Sequence, residues 1–169
     1  MVIPNEKDRI ARMELANRVF FRLYQSANML HKTGTKAVEA EGLTTQQWAV
    51  LGALSREAAD GGMSVGDLAR YLKVSRQNLS GLLSRMERDG HVSMAPDGRD
   101  RRSRLVTMTT SGRQVWEVEA LPKIHNFYDQ VLDGFSMNDT VHTLHYLLRL
   151  LENMERVDAT QGGNAESDA

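Results

Sequence analysis

Three observations predict a mainly α-helical chain with a small β-wing. Two short helical patterns, one over residues 64–72 and one opening at Ser75, lie only a few residues apart. Two alternating runs, His91–Ala95 and Arg104–Met108, flank a turn containing Asp97-Gly98. Long apolar periodicity then occupies both ends of the 169-residue chain. Together these describe a winged helix-turn-helix module over 43–108, embedded in a helical dimerisation region made of 1–42 and 109–156. A tail over 157–169 completes the chain.

From about Lys7 to Glu41, Ile10, Met13, Ala16, Phe20, Leu23, Ala27 and Leu30 step by three or four, which is the spacing of a long amphipathic helix. Leu15, Val19 and Tyr24 widen its apolar stripe, and Gly42 ends it. Thr44 or Thr45 caps the next helix, whose inner face is Trp48, Val50, Leu51 and Leu54, and Gly61-Gly62 breaks the chain after it. Ser64, with Asp67 three residues on, begins a short helix with Leu68, Ala69 and Leu72 on one side. Ser75 then caps a second helix that turns Leu79, Leu82, Leu83 and Met86 inward and leaves Arg76, Gln77, Ser80, Gly81 and Ser84 facing out.

Asp89-Gly90 stops that helix, the two alternating runs form the wing, and Thr109-Thr110-Ser111-Gly112 opens another helical region. Pro122 lies inside that region and is expected to kink or interrupt it. After a break at Gly134–Met137, the positions Met137, Val141, Leu144, Leu148 and Leu151 step 4, 3, 4, 3 like a short coiled-coil seam, widened by Leu147, Leu150 and Met154. The residues from Val157 on are small, polar and acidic, so they are expected to be disordered.

The composition narrows the function. Hydrophobic residues make up 41% and charged residues 25%, with no apolar run near the ~20 residues a bilayer span requires, so no membrane association is expected. The absence of cysteine and of a secretory-type apolar segment at the amino terminus suits the cytoplasm, and removes thiol chemistry and thiolate metal ligation. The net charge is only −1, yet Ser64–Arg104 holds nine Lys or Arg against five Asp or Glu while the remainder holds 12 against 17. The positive charge is thus concentrated on the helix-turn-helix and wing, as a surface facing DNA phosphates requires.

In that geometry the second helix enters the major groove. Arg76 suits guanine and Gln77 or Asn78 adenine, with Ser80 and Ser84 on the same face and Ser75 at the helix start beside a phosphate. A narrow minor groove concentrates negative potential, which makes Arg99, Arg101 and Arg102 of the wing loop its candidate readers, one of them braced by Asp100. The flanking helices are too long and too apolar to be covered by so small a module, and intertwining with a second copy would bury them. A dimer presents two recognition helices, which fits a pseudo-palindromic site. His142 and His145 lie at i and i+3, but without a further ligand pattern no metal is expected. No catalytic constellation is present and no cofactor is implied.

The Ser75-Arg76-Gln77-Asn78-Leu79-Ser80 helix start, the Met86-Glu87-Arg88-Asp89-Gly90-His91-Val92 exit, Asp100-Arg101-Arg102 in the wing and the Thr109-Thr110-Ser111-Gly112 start, in this order between long helices, resemble the MarR family of bacterial transcriptional regulators. The resemblance runs from about Leu15 to Met154. It implies a homodimeric repressor of a nearby operon, relieved by a small aromatic carboxylate or phenolic effector. It also carries base reading onto Arg76, Gln77, Asn78, Ser80 and Ser84, and minor-groove contact onto Arg99 or Arg101. Gly81 departs from members with a reading side chain at that position. The implied effector pocket falls near Phe20, Phe21, Tyr24, Trp48, Phe127 and Tyr128, with Arg22, Asn28 and His31 as its polar residues. A constitutive DNA-binding or architectural protein without a ligand, or a metal-sensing regulator, is the alternative.

Overall fold

The computed structural model describes residues 6–59, 61–98 and 103–165. The order is α1 (Glu6–Val38), a 3-10 turn (Glu39–Glu41), α2 (Thr45–Leu54), a second 3-10 turn (Glu57–Ala59), β1 (Met63–Ser64), α3 (Val65–Leu72), α4 (Arg76–Arg88), β2 (Val92–Pro96), β3 (Arg104–Met108), α5 (Thr110–Gln114), a π-helical segment (Val115–Ala120), α6 (Leu121–Val131) and α7 (Met137–Ala165). This is the mainly helical winged helix-turn-helix fold that the patterns predict. Met1–Phe127 form one compact unit and Tyr128–Ala169 a second.

Helix starts follow local chemistry. Thr44 forms a complete capping box with Gln47: its hydroxyl accepts the Gln47 N–H at 3.3 Å and its own N–H donates to Gln47 Oε1 at 2.8 Å. Ser64, Ser75 and Thr109 each accept a backbone N–H three residues on, which satisfies a donor left unpaired by the first turn. The wing is a three-stranded antiparallel sheet in the order β1-β3-β2, with Met63 opposite Val106 and Met94 opposite the other edge of Val106.

The core gathers Leu51, Leu68, Leu79, Leu83, Met86, Val92 and Val106, all nearly inaccessible, from α2, α3, α4 and the sheet. Val38 from the end of α1 and Trp116, Ala120 and Ile124 from the π segment and α6 belong to the same cluster, so residues on both sides of 43–108 help build it. The carboxylate of Glu41 pairs with Lys123 and ties the α1–α2 turn to α6.

Pro122 does not break its helix. The chain winds through α5, the π segment and α6 without a gap, and the six π-helical residues end two positions before the proline. A wider turn there relaxes the i to i−4 ladder that the pyrrolidine ring would obstruct, and it turns both Trp116 and Ala120 inward.

Of the 33 residues of α1, only Gly34 and Val38 are buried. The helix is ~50 Å long at 1.5 Å per residue, far longer than the small core it touches. Ile10, Met13, Val19, Phe20, Phe21 and Tyr24 therefore remain exposed in the single chain, Phe21 by 61% and Tyr24 by 66%. On α7, Val141, Leu144, Leu147, Leu148 and Met154 are exposed as well.

The tail is a correction to the expected disorder over 157–169. Helix α7 continues through Val157 to Ala165, and residues 166–169 lie outside the described residues. Extending a formed helix adds one hydrogen bond per residue without a new nucleation cost, so weak helix formers can follow a strong seam. Thr160 adds to this by donating its hydroxyl to the carbonyls of Arg156 and Val157. No helix among the described residues is long and apolar enough to cross a membrane.

Candidate nucleic-acid interface

Helices α3 and α4 meet through a tight turn in which Lys73 adopts φ 56° and Val74 N–H returns to the Ala69 carbonyl at 3.1 Å. The turn lays α4 across the core, with Leu79, Leu82, Leu83 and Met86 buried and Gln77, Asn78, Ser80, Gly81, Ser84 and Arg85 outside. The predicted outer face is thus one continuous surface. Its serines are already engaged: Ser75 accepts the Asn78 N–H at 3.2 Å, Ser80 donates to the Arg76 carbonyl at 2.8 Å and Ser84 to the Ser80 carbonyl at 3.0 Å. Their oxygens keep lone pairs for a base amino group, but donation to a base would require the Ser80 and Ser84 hydroxyls to turn from the helix backbone.

Gly81 has open space around the position a Cβ would take. Because glycine costs about 1 kcal/mol relative to alanine inside a helix, Gly81→Ala is expected to raise stability by about 0.5–1 kcal/mol, read from the urea midpoint. A lowered midpoint would show that the bare backbone has a structural role.

Arg76, the first residue of α4, reaches back to α3. Its Nη2, Cζ and Nε lie 3.1, 3.5 and 3.6 Å from the position a Cβ on Gly66 would occupy. Beside it, the Ser64 hydroxyl donates to the Asp67 carboxylate at 2.7 Å, and Arg70 pairs with the same group. The Ser64 hydrogen bond and then Arg70 hold the Asp67 carboxyl below the usual range, with a further contribution from the Arg76 charge. The stabilisation is present above the ordinary carboxylate range near pH 4 and is lost as pH falls through the lowered value; Asp67 is exposed, so solvent keeps it small.

The base of the wing is attached to the end of α4 through Glu87. Its Oε1 accepts the Met94 N–H at 3.0 Å and faces Arg104 at 3.9 Å, while Arg104 also donates to the Met94 carbonyl at 3.1 Å. Asp97 N–H meets the Ser103 carbonyl at 2.9 Å where the strands begin to part. Sequence reading passed over Glu87, because a glutamate on a basic helix looks like a solvated charge. Arg99, Asp100, Arg101 and Arg102, the predicted minor-groove residues and their brace, lie outside the described residues.

Among the described residues, the predicted effector residues fall in different places. Trp48 is buried and meets Phe127 edge-on, ring centroids 5.9 Å apart. Arg22 and Tyr24 line a shallow hollow along α1 with Phe20 and Phe21, and Arg22 donates to Gln25. Asn28 is exposed on α1. His31 lines a different cleft of about 640 Å³, between the α1–α2 side and the recognition helix, with Gln46, Leu72, Val74, Gln77, Asn78 and Arg85 among its walls. Exposed polar residues of α4 signalled such a cleft only as part of the DNA face. His142 and His145 both lie near Tyr146 on α7, and among the described residues no group of three metal-ligating side chains comes together.

A sequence model of the MarR family matches residues 41–103. Over 153 residues the chain is 74% identical to the transcriptional activatory protein BadR of Rhodopseudomonas palustris, the match covering 90% of this chain and 87% of that one. It is 31% identical over 115 residues to the homoprotocatechuate degradative operon repressor of Escherichia coli, covering 68% of this chain and 72% of that one. The S. aureus MepR–DNA complex has the same fold, with a TM-score of 0.70 at 20% identity over 79% of this chain and 96% of that one. The exposed recognition helix, the wing packed against its end and these relatives agree: the chain belongs to the MarR family, and it is a DNA-binding transcriptional regulator and not an enzyme.

Proposed function

We propose that the protein acts as a homodimer on a pseudo-palindromic operator and responds to a small aromatic acid. The observation that carries the dimer is the apolar surface left bare on α1 and α7, since a single chain rarely exposes so many large hydrophobic residues on two helices. A second copy applying the same faces covers both and pairs the two recognition helices. Gln77, Asn78, Ser80 and Ser84 then face base edges, Ser75 and Arg76 meet the DNA at the helix start, and Arg99, Arg101 and Arg102 enter the flanking minor groove.

The aromatic effector draws support from the name of the E. coli relative, whose operon degrades an aromatic acid. Its binding place is best matched by the His31 cleft, where Leu72 and Val74 offer apolar wall and His31 and Arg85 polar ends. Gln77 and Asn78 line the same cleft, so occupancy and base reading compete for one helix face. Activation is the preferred sense of control, following the 74% relative; repression is the second reading, favoured by the name of the 31% relative.

Operator binding by the purified protein at several salt concentrations, with and without hydroxybenzoates, cinnamates and acyl-CoA thioesters, tests the proposal. Arg99→Ala and Arg101→Ala are each expected to weaken binding to all sequences and to reduce the salt slope by about one. Unchanged binding in both variants and in their double would remove the wing from the interface, and indifference to every compound would remove the aromatic effector. A promoter fusion in a deletion strain decides the sense: expression falls for an activator and rises for a repressor.

A further inference from the structure

Arg76 stands apart from the other polar residues of the recognition helix because α3 holds it. Three atoms of its guanidinium lie between 3.1 and 3.6 Å from one point, the place where Gly66 would carry a Cβ. Such near-equal distances mean that the planar group lies with a face against the backbone of the first turn of α3. Any side chain at residue 66 would occupy that contact. The neighbouring Asp67 is taken up by the Ser64 hydroxyl and Arg70, and adds only an electrostatic attraction to the Arg76 charge.

We propose that the Gly66 position of α3 forms a seat that positions Arg76 as a phosphate clamp at the junction of α3 and α4, leaving base reading to Gln77, Asn78, Ser80 and Ser84. The inference rests on the DNA-binding reading above and assigns to Arg76 one of the two contacts its sequence position permits. A guanidinium with one face against a helix keeps its N–H edges for two oxygens of one phosphate, the geometry in which arginine binds most strongly. Seated this way, the side chain is directed to the start of α3 and is not extended along the outer face of α4. Because Arg76 is ordered before DNA arrives, little side-chain freedom is lost on binding. Gly66 acts through Arg76 and is a positioning residue.

The test is a double-mutant cycle of Gly66→Ala and Arg76→Ala, with Kd measured against salt on operator and on unrelated duplex. Arg76→Ala is expected to weaken both by a similar factor, about tenfold, and to lower the salt slope by about one. Gly66→Ala is expected to show the same two changes to a smaller degree, and the double variant to be no worse than Arg76→Ala alone. The added methyl meets only the movable end of a side chain, so Gly66→Ala should keep or raise the wild-type urea midpoint. A loss confined to the operator would make Arg76 a base reader and overturn the clamp, and additive effects in the double variant would overturn the seat. A measurement without DNA separates the seat from the regulator reading: the Arg76 Nε–H resonance should show restricted motion in the wild type and free averaging in Gly66→Ala. Equal mobility in the two proteins would refute the seat even if operator binding is intact, and failure of the wild type to bind any DNA would overturn the clamp and the reading beneath it.

Discussion

Gly112→Ala is expected to destabilise the protein by about 3 kcal/mol or more, a large share of the 5–15 kcal/mol typical of a domain. A Cβ at this position would lie 1.9 Å from the His91 carbonyl oxygen, 2.8 Å from its carbon and 3.1 Å from its Cα. All three are backbone atoms, so no rotamer change relieves the clash. The surroundings cannot give easily either, because the same carbonyl accepts the Thr109 N–H at 3.1 Å, the Thr109 hydroxyl donates to the adjoining Gly90 carbonyl at 2.6 Å, and Gly112 N–H donates to that hydroxyl at 2.8 Å. This joint sets the exit from α4 against the start of α5, and both sides of it belong to the wing's base. On helix propensity alone the substitution would stabilise by about 1 kcal/mol, so the sign of the change isolates the close approach. Urea unfolding measures it, and a midpoint equal to or above that of the wild type would show that the joint opens freely. Gly81→Ala provides the matched control, since it adds the same methyl to a helix where nothing lies nearby.

The second large effect concerns the seam of α7. Leu144→Glu combined with Leu148→Glu is expected to convert the proposed dimer to monomer and to lower operator affinity by a factor on the order of 10²–10⁴, the advantage of joining two binding heads. Leu144 is 58% and Leu148 49% exposed within the single chain, so the glutamates meet water there and the helix should keep its circular dichroism. In a dimer the same positions would bury four carboxylates with no partner, which costs several kcal/mol for each charge left ionised. Sedimentation gives the mass and fluorescence anisotropy the affinity. A variant that remains dimeric would remove α7 from the interface. One that becomes monomeric yet binds the operator as before would remove dimerisation from DNA recognition.

Much of the fold was legible because its signals are local. The Ser64, Ser75 and Thr44 caps each need only the next three residues, and the burial of Leu79, Leu82, Leu83 and Met86 follows from helical spacing. The alternation at His91–Ala95 and Arg104–Met108 likewise foretold the wing's strand pair, which forms between Val92–Pro96 and Arg104–Met108, one residue later on the first strand. Pro122 was less legible: proline signals strain, but nothing local signals the remedy, a π turn that ends two residues before it and lays Trp116 beside Gly52. The end of α7 was misread because a polar composition says little about helix propagation from a stable neighbour.

The candidate site divides in the same way. By itself the sequence determined which residues share the exposed face of α4, because an inward apolar stripe leaves Gln77, Ser80, Gly81 and Ser84 on the opposite side. It also determined where positive charge is concentrated and that the flanking helices carry more apolar surface than their own module can cover. Only the tertiary structure decided that Arg76 rests on Gly66, that Glu87 attaches the wing to α4, that His31 shares a cleft with Gln77 and that Gly112 abuts His91. The physical reason is range. Caps and periodicity are set by residues within a turn or two of one another, whereas a seat, a brace or a cleft depends on how separate elements pack, and their spacing in the sequence does not encode those distances.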